Sequence, residues 1–205
     1  MSASFRVGVL ASGTGTNLQA ILDQLHNETV EVVAVGSDRL GAGALERAAA
    51  AGVATRTFPI DGYPDREARD LAIAEWLRGR DVDLVVLAGY MQLLSPEFVR
   101  RFADRIVNVH PALLPSFPGL DAIGQALEHG VKVTGVTVHF VDEGVDTGPI
   151  VLQQPVPVPA DGDREALEAA IHAVEHALLP EAIRLIAAGR VSVDEARPRR
   201  VRIEP

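Results

Sequence analysis

The chain reads as an α/β protein, a doubly wound, mostly parallel sheet flanked by helices, with a mixed C-terminal portion. Three observations predict this. Apolar runs of strand length recur at 5–11, 30–35, 53–58, 82–88 and 105–109. Segments with apolar residues at helical spacing lie between them. Glycine and proline punctuate the junctions. Alternation of this kind covers both faces of a parallel sheet, so its strands appear as unbroken apolar runs. After about Val131 the strands dominate, which predicts the mixed portion.

Residues 5–11 form the first strand and 12–15, Ser-Gly-Thr-Gly, a turn. Leu18, Ile21, Leu22 and Leu25 then line one face of a helix over 16–26. A second strand at 30–35 precedes an alanine-rich helix over 41–51 with Gly52 as its stop. A third strand covers 53–58, and a helix over 64–77 follows with Pro64 in its first turn. The run 82–88, Val-Asp-Leu-Val-Val-Leu-Ala, is the strongest strand signal. Ser95 caps the next helix and Pro96 opens it. The fifth strand, 105–109, runs into a loop over 111–119 that holds three prolines and must be structured. A short helix over 121–129, strands over 134–141 and 149–156, and a long helix over 163–188 complete the pattern. Pro180 inside that helix predicts a kink or a break. The tail, 191–203, is expected to form a two-stranded flap around Arg197-Pro198.

The 205 residues suit one domain, with no repeat, low-complexity stretch or clear linker. A net charge of −9 argues against a grip on nucleic acid, which needs a basic footprint. An anionic small ligand remains compatible, because a local set of amides binds it whatever the global sign. With no cysteine there is no disulfide, thiol nucleophile or thiolate metal ligand. No apolar run reaches membrane-spanning length, and the first residues lack a basic region followed by an apolar block, so no signal peptide is expected. The protein is read as cytoplasmic.

Asn108, His110 and Asp146 are the candidate catalytic residues. Asn108 and His110 stand two apart at a strand end, so their side chains leave the same face, and Pro111 stops the ladder. Asp146 lies in a turn-rich stretch after an apolar run. An amide donor, an imidazole and a carboxylate at strand–loop junctions are what acyl transfer needs: the amide for a developing oxyanion, the imidazole for a proton, the carboxylate to fix the imidazole and raise its pKa. Read singly, His110 suits a structural histidine equally well, and Asp146 is more often a turn carboxylate bonding its own backbone; the combination favours chemistry. The turn Ser12-Gly-Thr-Gly-Thr-Asn17 joins a strand to a helix start, where backbone donors and the helix dipole favour a phosphate. It lacks the third glycine of a dinucleotide motif and the lysine of a P-loop, so a monophosphate or no ligand at all are the two readings. His139 is assigned a core or supporting place, and Trp76 and Phe102 are assigned to the core. His26 and His129 are expected to complement helix dipoles, and the basic cluster 197–202 to be a solvated face.

Four segments occur in order: Ala11-Ser-Gly-Thr-Gly-Thr-Asn-Leu-Gln-Ala20, Val86-Leu-Ala-Gly-Tyr-Met91, Asn108-Val-His-Pro-Ala-Leu-Leu-Pro115 and Val138-His-Phe-Val-Asp-Glu-Gly-Val-Asp-Thr-Gly-Pro149. With Glu175-His-Ala-Leu-Leu-Pro180 they resemble the phosphoribosylglycinamide formyltransferase family, from about Arg6 to Pro180. The resemblance implies a single formyltransferase-fold domain over 1–205, with the phosphate side in the N-terminal half and the folate side in the C-terminal half. It implies direct transfer of the formyl group of 10-formyltetrahydrofolate to the amine of glycinamide ribonucleotide, giving formylglycinamide ribonucleotide and tetrahydrofolate in purine biosynthesis. The folate is a co-substrate; no tightly bound cofactor and no metal are implied. The implied partners are these small molecules, without nucleic acid or membrane, in a monomer or homodimer.

By the same resemblance Gly15, Thr16 and Asn17 hold the ribose phosphate. Arg66, Met91, Gln92, Leu93 and Leu94 belong to the folate side together with Asn108, Asp142, Glu143, Gly144, Val145 and Asp146. His172 and Glu175 belong to the glycinamide end. Leu114-Pro115 is expected to be cis. The chain departs from the family at Gln92 (usually arginine), at Ser116-Phe117 (usually a basic-aromatic pair) and at Asp121 (usually histidine), where a carboxylate is expected to shift the pH profile. Formyltetrahydrofolate hydrolases share the trio but usually carry an N-terminal regulatory domain. Methionyl-tRNA formyltransferases need a C-terminal domain and a basic face. A non-catalytic nucleotide sensor would not need the trio.

Overall fold

The computed structural model describes residues 4–194, 196–197 and 199–204. Its main sheet has seven strands in the order β3-β2-β1-β4-β5-β6-β7, mostly parallel and flanked by helices. The chain divides into two compact units, Met1–Asn108 and Val109–Pro205.

The first unit holds β1 (Phe5–Leu10), α1 (Thr16–Leu25), β2 (Val30–Ser37), α2 (Gly43–Ala50), β3 (Ala54–Thr57), a short 3-10 turn, α3 (Arg66–Arg78), β4 (Leu84–Leu87), α4 (Pro96–Arg101) and most of β5 (Ile106–His110). All pairings among these strands are parallel. β1 pairs with β2 on one side and β4 on the other, so chain direction through the sheet reverses there. Ligands of open parallel sheets bind at the carboxyl ends of strands beside such a reversal. The loops at that point are joined: the Ser12 N–H donates to the Gly89 carbonyl at 3.0 Å, and the Met91 N–H donates to Ser12 Oγ at 2.8 Å. Every residue of β4 is buried, as its unbroken apolar run requires. Trp76 and Phe102 are buried, as expected.

Ser95 caps α4 by accepting the Phe98 N–H, with Pro96 at the first position. Pro64 does not open α3. The helix begins at Arg66 behind Asp65, whose carboxylate accepts the Ala68 N–H at 2.8 Å. A carboxylate cap satisfies an N–H that proline at the first position leaves open, so Asp65 sets the boundary.

The second unit holds the end of β5, α5 (Ala122–Glu128), β6 (Val133–Phe140), β7 (Ile150–Pro157), α6 (Arg164–Ala187) and a small antiparallel pair, β8 (Val191–Val193) with β9 (Val201–Ile203). That pair is the predicted flap; Pro198 of its predicted turn lies outside the described residues. β6 and β7 are antiparallel, with a register shift between Val138 and His139. α6 packs on β6, β7 and α5. It runs unbroken through Pro180. Proline removes one helical hydrogen bond, but Leu179, Pro180, Ala182 and Ile183 are all buried, and tertiary packing sustains the helix. The Leu114-Pro115 peptide is cis. Among the described residues no helix is long and apolar enough to cross a membrane.

Candidate active site

In the first unit, the turn after β1 is shaped by close packing against the start of α2. Gly15 has φ 78, and a Cβ there would lie 2.6 Å from Ala44 Cα, so glycine is required on both counts. The carbonyls of the turn are consumed inside the protein. Gly13 accepts from Ala44 N at 3.2 Å, Thr14 from Arg47 Nε at 2.9 Å, and Gly15 from Gln19 N at 2.9 Å. The helix start supplies N–H groups that have no partner within α1. Gly13 and Thr14 are exposed, Thr16 is half-buried and Asn17 is buried.

The segment after β4 is anchored from below. Asp70, completely buried, accepts the Ser95 N–H at 2.6 Å through Oδ2 and Arg69 NH2 at 2.9 Å through Oδ1. Met91 and Leu93 nevertheless remain more than half exposed, which is unusual for large apolar side chains and suits an apolar ligand face. Gln92 is turned to Asp38, with Nε2 donating to Oδ2 at 3.1 Å. Arg66 is exposed at the start of α3. Asn108 lies on β5, half-buried, in register with Leu87 of β4.

In the second unit, His110 and Asp146 meet. His110 Nδ1 lies 3.4 Å from Asp146 Oδ2. His110 Nε2 is 2.8 Å from the Phe117 carbonyl, and a carbonyl only accepts, so Nε2 carries the proton. Asp146 Oδ2 also accepts the Gly119 N–H at 2.7 Å. The other oxygen, Oδ1, faces His139 Nε2 at 3.5 Å, and His139 Nδ1 donates to the Phe140 carbonyl at 2.8 Å. Phe117, Gly119 and Asp146 all have left-handed backbone, with φ 54, 81 and 53. For Phe117 that conformation is costly and is held by its surroundings, whereas aspartate adopts it readily.

Burial pushes the His110 pKa below its ordinary value, outweighing the opposing pull of Asp146 and the Phe117 carbonyl, with His139 adding to the fall. The expected rise from Asp146 is therefore present but does not win, because a nearly buried imidazole loses more hydration than one carboxylate returns. Burial works to raise the Asp146 pKa, yet the His139 bond, the Gly119 N–H and the two imidazole charges together hold it below the usual carboxylate range. Both ring nitrogens of His110 face acceptors, Nε2 the Phe117 carbonyl and Nδ1 the Asp146 carboxylate, so a proton on Nδ1 completes the pair while burial opposes the charge it brings.

The loop after β6 is organised by Asp142, whose Oδ1 accepts the Gly144 N–H at 3.0 Å and Thr147 Oγ1 at 2.7 Å. Val145 and Glu143 are exposed. On α6, Glu175 is buried and His172 exposed, with the His172 ring stacked on His176 at 6.2 Å. Asp121 caps α5 at the Gly124 N–H and pairs with Arg164 at 2.7 Å on the surface, and the Arg164 bond, then the Gly124 N–H, lower its pKa. Its part is architectural; it has no bond to the His110 cluster among those described. His139 takes the core or supporting place expected of it, buried beside Asp146, whereas the sequence does not mark the Phe117 carbonyl or the Gly119 N–H. The signal for His139 is its place two residues beyond Thr137 on a strand. Backbone partners leave no mark in residue type. Among the described residues no group of three or more His, Cys, Asp or Glu side chains is arranged to hold a metal.

The Formyl transferase family profile matches residues 5–183. A phosphoribosylglycinamide formyltransferase of Mycobacterium tuberculosis is 48% identical over 193 residues, 94% of this chain and 89% of that protein. A trifunctional purine biosynthetic protein adenosine-3 of Drosophila pseudoobscura pseudoobscura is 44% identical over 188 residues, 90% of this chain; the chain spans 14% of that relative's length. The crystal structure of glycinamide ribonucleotide transformylase 1 from Symbiobacterium toebii has a TM-score of 0.95 at 52% identity, covering 100% of this chain and 96% of that one.

Proposed function

The chain belongs to the formyl transferase family, and from that premise we propose that it transfers the formyl group of 10-formyltetrahydrofolate to the amine of glycinamide ribonucleotide, yielding formylglycinamide ribonucleotide and tetrahydrofolate. The observation that carries this reading is the His110 Nδ1–Asp146 Oδ2 pairing at 3.4 Å, two residues beyond Asn108 on the same strand.

The amine attacks the formyl carbon, a C–N bond forms, and the carbonyl oxygen gains negative charge. Asn108 donates its amide N–H to that oxygen; losing one such donor typically costs about 10²–10³ in rate. Phe117 keeps the Nε2 proton of His110 in place, so the proton shed by the amine is taken at Nδ1, where Asp146 stabilises the imidazolium. That proton then passes to the folate N10 as its bond to the formyl carbon breaks. Proton transfer of this kind contributes about 10²–10⁴-fold, and holding the substrates in line contributes more.

Gly15, Thr16 and Asn17 take the ribose phosphate. Arg66 and the segment Met91, Gln92, Leu93 and Leu94 serve the folate, as does the loop Asp142, Glu143, Gly144, Val145 and Asp146. Glu175 and His172 serve the glycinamide end. The enzyme needs no metal, works in the cytoplasm and is a monomer or homodimer. The test is folate release from 10-formyltetrahydrofolate with and without glycinamide ribonucleotide. Release that requires the amine supports transfer; equal release without it means hydrolysis, and binding without release means a sensor.

A further inference from the structure

The loop over 111–119 reaches the His110–Asp146 pair through two backbone groups, the Phe117 carbonyl and the Gly119 N–H. Its prolines at 111, 115 and 118 have no N–H to donate, so the loop depends on side chains for support. Two come from facing positions on β6 and β7, where Thr137 and Gln153 are register partners. Thr137 Oγ1, fully buried, donates to the Ala112 carbonyl at 2.7 Å and accepts the Leu114 N–H at 3.1 Å. Gln153 Nε2 donates to the Leu114 carbonyl at 2.9 Å and to Thr137 Oγ1 at 2.9 Å. A hydroxyl has one proton and two lone pairs, and these three bonds use all of them. The inverted amide would set its oxygen against the Leu114 carbonyl, so the network admits one orientation of Gln153. Gln125 Nε2 holds the far end of the loop at the Leu120 carbonyl, 2.9 Å, from an exposed position.

We propose that Gln153 is a positioning residue for the catalytic pair, acting through Thr137 and Leu114 to fix the loop that holds the Nε2 proton of His110 and the carboxylate of Asp146. The catalytic meaning rests on the formyl-transfer reading; the effect on His110 does not. The groups facing His110 are Asp146, His139 and the Phe117 carbonyl. The carbonyl favours the protonated ring, so a loosened loop lowers the His110 pKa further and lets the neutral ring exchange its proton between Nε2 and Nδ1.

The experiment is a ¹⁵N NMR titration of His110 in histidine-labelled protein, with kcat and KM measured alongside. The variants are Gln153→Met, Thr137→Val and Thr137→Ser. Gln153→Met and Thr137→Val are expected to move the His110 midpoint down, mix its tautomers and lower kcat by about tenfold, with KM for glycinamide ribonucleotide within about twofold. Thr137→Ser keeps the hydroxyl and is expected to match the parent. A His110 midpoint and tautomer unchanged in folded Gln153→Met overturns the proposal. Should Thr137→Val fail to fold, Gln153→Met decides alone, because Gln153 lies on β7 at the end of the strand order. Absence of amine-dependent turnover in the parent removes the formyl-transfer reading and leaves the titration result standing.

Discussion

His139 Nε2 stands 3.5 Å from Asp146 Oδ1, on the oxygen opposite to the one that faces His110. One carboxylate therefore lies between two buried imidazoles and also takes a backbone N–H from Gly119. The β6–β7 register shifts at His139, where Val151 of β7 is passed over between the Val138–Leu152 and His139–Ile150 pairs.

Replacing His139 with asparagine removes the imidazole whose hydrogen bond lowers the Asp146 pKa, leaving burial less opposed. The Asp146 pKa then rises. The His110 pKa, which His139 also holds down, rises with it, and the acid limb of kcat/KM moves up. We expect kcat/KM at neutral pH to fall by about tenfold. A pH–rate profile with an unmoved acid limb would count against a supporting part for His139.

Stability should decline on acidification in two windows. His110 has a depressed folded pKa, so between the ordinary imidazole value of about 6.5 and that lower value the unfolded chain binds a proton that the folded protein does not. Its contribution is present above the window and is lost as pH falls through it. Asp146, also depressed, contributes above the ordinary carboxylate value and loses that contribution as pH falls through its folded pKa. Thermal melts from about pH 7.5 to about pH 5 should show a falling Tm in the parent and a flatter course in His110→Asn. Parallel slopes would mean that His110 is not the group responsible.

At Gly15 an alanine faces both left-handed backbone, costing about 1–2 kcal/mol, and a clash with Ala44 backbone that no rotamer relieves. Gly15→Ala is expected to lower stability by about 2 kcal/mol and to raise KM for glycinamide ribonucleotide more than KM for the folate. Chemical denaturation and steady-state kinetics check the two parts. Equal effects on both KM values would detach this turn from the phosphate.

Local signals in the sequence were readable where chemistry and neighbours coincide. Ser95-Pro96 specified a cap and a first turn, and the unbroken 82–88 run specified a buried strand, because both depend on adjacent residues alone. His110 and Asp146 were readable together because their side-chain types are distinctive, and the structure sets them 3.4 Å apart. What escaped was decided by three-dimensional context. The direction of the His110 shift depends on how much water burial removes, which no local pattern encodes. Phe117 contributes a carbonyl that any residue type could supply. The continuity of α6 through Pro180 depends on the packing around Leu179 and Ile183.

Asp70 carries the support of the 91–95 segment. Both Arg69 and Asp70 are almost wholly buried, and Asp70→Ala leaves a buried guanidinium without its partner and the Ser95 N–H without its acceptor. Loss of one member of such a pair costs about 3–5 kcal/mol. Urea denaturation should show a loss of that order. A change below about 1 kcal/mol would mean that Arg69 finds other partners at little cost.

The coupling of His110 to Asp146 is measured by a double-mutant cycle in kcat/KM for formyl transfer, using His110→Asn, Asp146→Asn and the double variant. If the two side chains handle one proton as a unit, the double variant loses little more than the worse single variant. Losses that multiply independently would contradict the pairing on which the proposed chemistry stands.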